Sequence, residues 1–431
     1  MKEAIIAASV RTNGKFKQTE VGLIPEDWMA FTFTDVITGF SSGQTPYRAI
    51  KEYYKGTIPW ITSGELKYNI ITETLESITK TAVDNTNLKI LPKGTFLIAI
   101  TGLEAAGTRG SCAITGIEAT TNQSCMALYP VKDKLLTAYL YHYYVMYGDF
   151  LAFRYCQGTK QQSYTAAIAK KLPISIPPSL SEQTAIAQAL SDADALIASL
   201  EKLIEKKKRI KQGAMQELLS STDANGKPKE GWVKKRLGDL GITYGGLSGK
   251  SKSDFSNGNS KYIQFMNIMS NAIIDTTNLP TVKIHKGEKQ NAALKGDLFF
   301  NGSSETPEEV GMCALLVDDV PELYLNSFCF GFRPFQTNLI DGLFLANYFR
   351  SSYGRAFFYS SAQGATRYNL SKSNFLKLEL SIPPIETQRV VATTIKEIDE
   401  EVSILSKKLA KTLSMKQGMM QNLLTGKIRL V

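Results

Sequence analysis

A chain of 431 residues is too long for one ordinary domain, and 43% hydrophobic with 21% charged residues lets it bury real cores, which excludes wholesale disorder. Fifty Lys and Arg against 40 Asp and Glu leave a net charge of +10, which favours a polyanionic partner. With only two His, and five Cys (Cys112, Cys125, Cys156, Cys313, Cys329) that form no C-x-x-C pair, a clustered zinc site and a disulfide framework are both disfavoured.

From the N-terminus, Met1–Val10 holds too short an apolar run for a secretory signal. The richest apolar segment, Ala138–Phe153, is interrupted by His142, Gly148 and Asp149, well short of the ~18 residues a membrane span needs. A cytoplasmic, unanchored protein is expected. Short β-rich runs follow at 57–62, 94–100 and 111–114, punctuated by Gly, Asn and Pro turns. A helix rich in Tyr and Phe is predicted over Leu135–Phe153, with most of its rings in a core.

After Pro177-Pro178 the pattern changes. Ile186, Leu190, Ala193, Ile197, Leu200 and Ile204 alternate spacings of four and three, the heptad seam of a helix pair, and the same register places Lys207 and Lys211 in the seam. Ser181 is a candidate N-cap. The run Lys206-Lys207-Lys208-Arg209 with Lys211 could face phosphates, acidic partner surfaces or solvent, or pack at the end of the helix pair.

The remaining elements repeat the first set at an offset of about 205 residues. Trp28, Asp35, Cys112 and Cys125 pair with Trp232, Asp239, Cys313 and Cys329, and Ile176-Pro177-Pro178 pairs with Ile382-Pro383-Pro384. β-rich runs recur at 262–265 and 296–300, the aromatic helix at Ile340–Tyr359, and the seam at Val391, Ile395, Ile398, Val402, Leu405 and Leu409, with Glu386-Thr387 as candidate caps. Each long helix should run roughly 35 to 40 residues, about 50 to 60 Å. Two such helices attached to two equivalent domains suggest a pseudo-two-fold object; the alternative is that each helix packs on its own domain.

Signs of catalysis are few. Gly245-Gly246-Leu247-Ser248-Gly249-Lys250-Ser251 resembles a phosphate loop, but Tyr244 stands where the first Gly belongs and no apolar helix follows. His142 and His285 belong to no metal pattern, and no nucleophile elbow or dinucleotide loop is present. The paired Cys positions read as small buried hydrophobes.

Three segments carry a resemblance. Ile382-Pro383-Pro384 with Gln388 and the run Met415–Arg429 are similar to the C-terminal conserved region of DNA-specificity subunits of type I restriction-modification systems; Lys211–Leu219 resembles their central conserved region, and Val21–Trp28 the lead-in to their first target recognition domain. The resemblance implies a mixed α/β (α+β) fold class: target recognition domains at 1–178 and 223–383, pseudo-two-fold related, separated by helices at 179–222 and 384–431 that form an antiparallel coiled coil. It also implies a non-catalytic subunit that binds double-stranded DNA at a bipartite site, partnered by two methyltransferase subunits and by motor-nuclease restriction subunits. No cofactor is expected on this chain, with S-adenosylmethionine and ATP/Mg on the partners. About 50 Å of helix corresponds to roughly 15 bp, so the half-sites would lie about one turn or somewhat more apart. The alternatives are an autonomous two-domain DNA-binding regulator, or an enzyme with an unrecognised site.

Base edges are read by Arg, Lys, Asn and Gln, and phosphates by Lys, Arg, Ser and Thr. Two loop sets have this composition at equivalent places: 101–109 with 157–164, and 301–305 with 363–369. The candidate DNA contacts are Arg109, Lys160, Gln161, Ser303, Arg367 and Tyr368, with Gln44, Lys250 and Lys252 in the Gly-containing loops early in each copy. The usual Gly-Gly-Thr-Pro of such loops reads Ser42-Gly43-Gln44-Thr45-Pro46 here, and Tyr244-Gly245-Gly246-Leu247-Ser248 in the second copy.

Overall fold

The computed structural model describes residues 10–11, 15–105, 107–156, 162–255, 257–335, 338–359 and 368–430. The chain divides into two compact units, 1–200 with 408–431, and 201–407. The division falls within each long helix, a grouping different from the four segments suggested by the sequence.

In the first unit a five-stranded sheet has the order Ile37–Ser42, Cys125–Pro130, Phe96–Ala99, Cys112–Thr115, Asn69–Ile71. Only the last pair is parallel. Phe96–Ala99 is buried at every position, so its sequence shows no polar alternation. The helix Thr137–Tyr155 packs on Cys112–Thr115 and supplies buried rings. Tyr139 and Tyr143 donate their hydroxyls to the carbonyls of Ser175 (2.9 Å) and Pro173 (3.1 Å), which satisfies two of the buried hydroxyls that a Tyr-rich helix brings into a core. A smaller sheet, Thr120–Thr121, Ile58–Ile61 and Glu76–Ile78, closes over Trp60, Ile78, Ala82 and Val83.

The second unit repeats this topology. Gly241–Gly245, Cys329–Pro334, Leu298–Asn301 and Cys313–Leu315 follow in the same order, and the fifth strand is reduced to a parallel bridge between Ile273 and Leu315. The small sheet recurs as Thr281–Val282, Ser260–Ile263 and Leu323–Leu325. The aromatic helix expected over Ile340–Tyr359 is instead two helices, Gly342–Arg350 and Ser352–Tyr359. Ser351 makes the break: its backbone is extended and its hydroxyl donates to the Tyr348 carbonyl at 2.6 Å, competing with the helical pattern. The chain then folds back so tightly that a Cβ on Gly354 would lie 2.3 Å from that carbonyl oxygen.

The long helices are Leu180–Leu218 and Ile385–Leu423, 39 residues each. The first is capped by Ser179 rather than Ser181, since the Ser179 hydroxyl accepts the amides of Ser181 (3.1 Å) and Glu182 (3.4 Å). Glu386 is engaged elsewhere, in an ion pair with Arg389.

Within each unit the start of one long helix lies beside the end of the other. In the first unit Ile186 and Leu190 share a core with Leu423 and Leu424, and Lys416 pairs with Asp194. In the second, Val391 and Ile395 share a core with Leu219, while Lys211 pairs with Asp399 at 2.6 Å and Lys207 with Glu401. The indices rise along one helix as they fall along the other, so the paired segments are antiparallel. The seam positions Lys207 and Lys211, and Lys416 at the place equivalent to Lys211, thus have intrachain acidic partners, which explains a polar interruption in an apolar seam. Each helix start also packs on its own domain, so helix pairing and domain packing are both present.

Candidate nucleic-acid interface

The two loop sets singled out by composition are brought together in each unit by the same construction. In the first, Thr101 bridges Ser163 where the strand Phe96–Ala99 ends. The Leu103 amide donates to the Gln162 carbonyl at 3.1 Å, the Tyr164 amide to Ile100 at 2.8 Å, and Glu104 accepts the Gln162 amide at 2.9 Å. In the second, Ser303–Ser304 pairs antiparallel with Tyr368–Asn369, and the Leu370 amide donates to Gly302 at 3.0 Å. A strand that would otherwise run out into solvent is thereby stitched to the segment leading into the next element, and both loops of a pair present their side chains from one place.

Arg109 Nε donates to Asp149 at 2.6 Å and its guanidinium lies 5.8 Å from the Phe153 ring centre, so this cation is anchored to the aromatic helix. The hydrogen bond to Asp149 holds its pKa above the ordinary arginine value. Ser303 lines a cavity of about 310 Å³ with Phe265, Ser304, Glu305, Glu309 and Phe328. Ser304 donates to Glu309 at 2.8 Å, and Tyr368 is half-buried against the second core. Lys160, Gln161 and Arg367 lie outside the described residues.

Gln44 is exposed at its side chain, while its backbone is fixed: the amide donates to Thr121 at 3.0 Å and the carbonyl accepts Trp60 Nε1 at 3.1 Å. Beside it Arg48 grips Glu76 through two nitrogens (2.6 and 2.8 Å) and lies over the Tyr54 and Trp60 rings. Lys252 is exposed in a short 3-10 turn, Lys252–Phe255. Lys250 departs from expectation. Its side chain is 4% exposed, and its ammonium donates to Glu288 and to the Lys283 carbonyl, each at 2.6 Å. This amine offers nothing to a phosphate, because its donors are spent inside the fold; Lys250 holds Glu288 well down, to a pKa of about 2. The phosphate-loop likeness is thus structural: strand Gly241–Gly245 runs into a turn with no long helix after it.

The structure adds exposed rings beside these loops that residue composition did not single out: Tyr47 (71% exposed), three residues after Gln44, and Phe328 (60%), on the cavity with Ser303. The only sequence signal was an aromatic residue preceded by a turn former, Pro46 before Tyr47 and Ser327 before Phe328.

Among the described residues no group of three or more His, Cys, Asp or Glu could hold a metal ion, and no helix is long and apolar enough to cross a membrane. Cys112, Cys125, Cys313 and Cys329 are buried free thiols whose pKa values burial pushes up, that of Cys329 to about 12.

Two α/β domains of one topology, each with a stitched loop pair and a long helix, define a duplicated recognition protein. The chain belongs to the family described as the type I restriction modification DNA specificity domain, which matches residues 25–212 and again 229–414. It is 28% identical over 317 residues to the type I restriction enzyme MjaIX specificity subunit of Methanocaldococcus jannaschii, covering 69% of this chain and 71% of that one. The MjaVIII specificity subunit of the same organism is 24% identical, with 96% of both chains covered. The fold matches the crystal structure of a type I restriction-modification S subunit from M. genitalium with a TM-score of 0.59 at 16% identity, over 96% of this chain and 97% of that one.

Proposed function

We propose that this specificity subunit reads a bipartite double-stranded DNA target, one half with each recognition domain (1–178 and 223–383), and is itself non-catalytic. In this reading it delivers two adenine methyltransferase subunits, and restriction subunits where present, to that site in the cytoplasm; S-adenosylmethionine and ATP/Mg belong to those partners. The observation that carries the reading is the loop pair built twice by the same backbone stitching, at Thr101/Ser163 and at Ser303/Asn369. Two copies of one reading head suit a target in two parts. A structure from a study of type I complex assembly has the same fold, with a TM-score of 0.50 at 15% identity. Gln44, Arg109, Lys160, Gln161, Lys252, Ser303, Arg367 and Tyr368 are the proposed contacts.

Reconstitution tests this. The purified chain alone should transfer no methyl group, and addition of the cognate methyltransferase subunit should produce adenine methylation at a split motif. Methylation by the isolated chain would sink the non-catalytic reading, and a continuous motif would sink the two-domain one.

A further inference from the structure

Two glutamines at equivalent places are buried to 1% exposure, Gln183 and Gln388, each the fourth residue of a long helix. Burial of an uncharged amide is costly unless both its ends are satisfied. Gln183 Nε2 donates to the carbonyls of Lys134 (2.9 Å) and Pro177 (3.4 Å), and its Oε1 accepts the Leu136 amide at 3.0 Å. Gln388 does the same: Nε2 to Leu339 (3.1 Å) and Pro383 (2.9 Å), Oε1 from the Asp341 amide at 2.9 Å. Leu136 and Asp341 are the residues that precede the first turn of the aromatic helix in each domain, and Pro177 and Pro383 follow the last strand. One side chain therefore ties three pieces together: the end of the domain's last strand, the start of its aromatic helix, and the first turn of the long helix.

We propose that Gln183 and Gln388 are positioning residues for target recognition: each locks a recognition domain to the start of its long helix, so that the two turn as one body, and this rigidity lets the complex reject DNA whose half-sites are wrongly spaced. The proposal rests on the bipartite reading above. A satisfied three-way amide has one geometry, whereas apolar packing alone permits a domain to rock on a helix. Three equivalent backbone partners in each of two copies of different sequence mark the amide, and not side-chain volume, as the common element.

The test uses the full chain assembled with its methyltransferase subunit and a DNA panel that keeps both half-sites while the spacer is native, one base pair shorter or one longer. Gln388→Met and Gln183→Met keep volume and delete the hydrogen bonds. Each should lower discrimination between native and altered spacers by about tenfold, with base preferences inside the half-sites unchanged. Variants that methylate and discriminate as the wild type does would overturn the proposal. Hydrogen exchange on the unsubstituted complex needs no variant to fold. The Leu136 and Asp341 amides should be protected as well as core strand amides, and exchange at the rate of surface loops would equally overturn it. Failure of the unsubstituted complex to methylate any split site would count against the bipartite reading instead.

Discussion

His142 shows how a single residue can be placed by its surroundings. It is 1% exposed, with Nε2 3.0 Å from Ser191 Oγ and Nδ1 4.0 Å from Asp194, the carboxylate that pairs with Lys416. Burial, aided by Lys416 and opposed by Asp194, pushes its pKa down to about 4. In the unfolded chain the imidazole would titrate near ~6.5. Between these values the unfolded state takes up a proton that the folded state refuses, so stability falls as pH drops through this window and the loss levels off below it. Acidification from pH 7 to 4 should cost the first unit up to about 3 kcal/mol through this group. His142→Asn supplies the residue found at the equivalent position in the second copy, Asn347, and urea unfolding as a function of pH should show a shallower slope for it; an unchanged slope would count against this account. The sequence leaves His142 as an ordinary core or surface histidine, since no partner pattern surrounds it, and only its packing decides for the core. The fate of Lys250 was not legible there either, because Glu288 reaches it from 38 positions away along the chain.

At the scale of elements, the glycines separate into those that fit a contact and those that do not. A Cβ on Gly43 would lie 1.9 Å from the Thr121 carbonyl oxygen, and one on Gly246 would lie 2.1 Å from that of Asn326, so both early loops press against a neighbouring segment at the same point of the fold. Gly213 and Gly418, in the long helices, would meet nothing within 4 Å. Gly246→Ala should therefore destabilise the second unit by about 3 kcal/mol, while Gly418→Ala in the isolated chain should stabilise by about 1 kcal/mol; denaturant midpoints check both, and equal effects would refute the distinction. The strands and the helix seams were legible because their periodicity is local. The break at Ser351 was not, since the aromatic pattern of Ile340–Tyr359 runs through it and only the close approach of Gly354 to Tyr348 requires the turn.

For the molecule as a whole, the last 24 residues belong with the first unit, where Arg429–Leu430 pairs antiparallel with Val10–Arg11. Arg429 holds Glu182 through Nε and one terminal nitrogen (2.5 and 2.7 Å) and Asp27 through both terminal nitrogens (2.9 Å each), with its guanidinium over Trp28. Glu182 is 1% exposed. Removing the cation would leave a buried carboxylate unpaired, so Arg429→Ala should cost the first unit about 3 kcal/mol. Hydrogen exchange should show early opening of 424–430 and of the long helix near Glu182, with the second unit unchanged; a uniform loss in both units would refute a local clamp. The equivalent position in the first copy is Ala224, so this clamp has no counterpart there.

The sequence by itself determined the duplication, the two long helices with their antiparallel likeness to a known family, the mixed α/β class and the two loop sets, because periodicity, turn residues and repeated motifs are properties of neighbours along the chain. Tertiary structure alone decided that the seam lysines answer Asp194, Asp399 and Glu401, that Lys250 is withdrawn into the fold, that Gln183 and Gln388 tie domain to helix, and that the C-terminus closes on Asp27 and Glu182. Each of these depends on a polar group meeting its partner across tens to hundreds of residues. Sequence shows that such a group exists; burial and the position of the partner fix what it does.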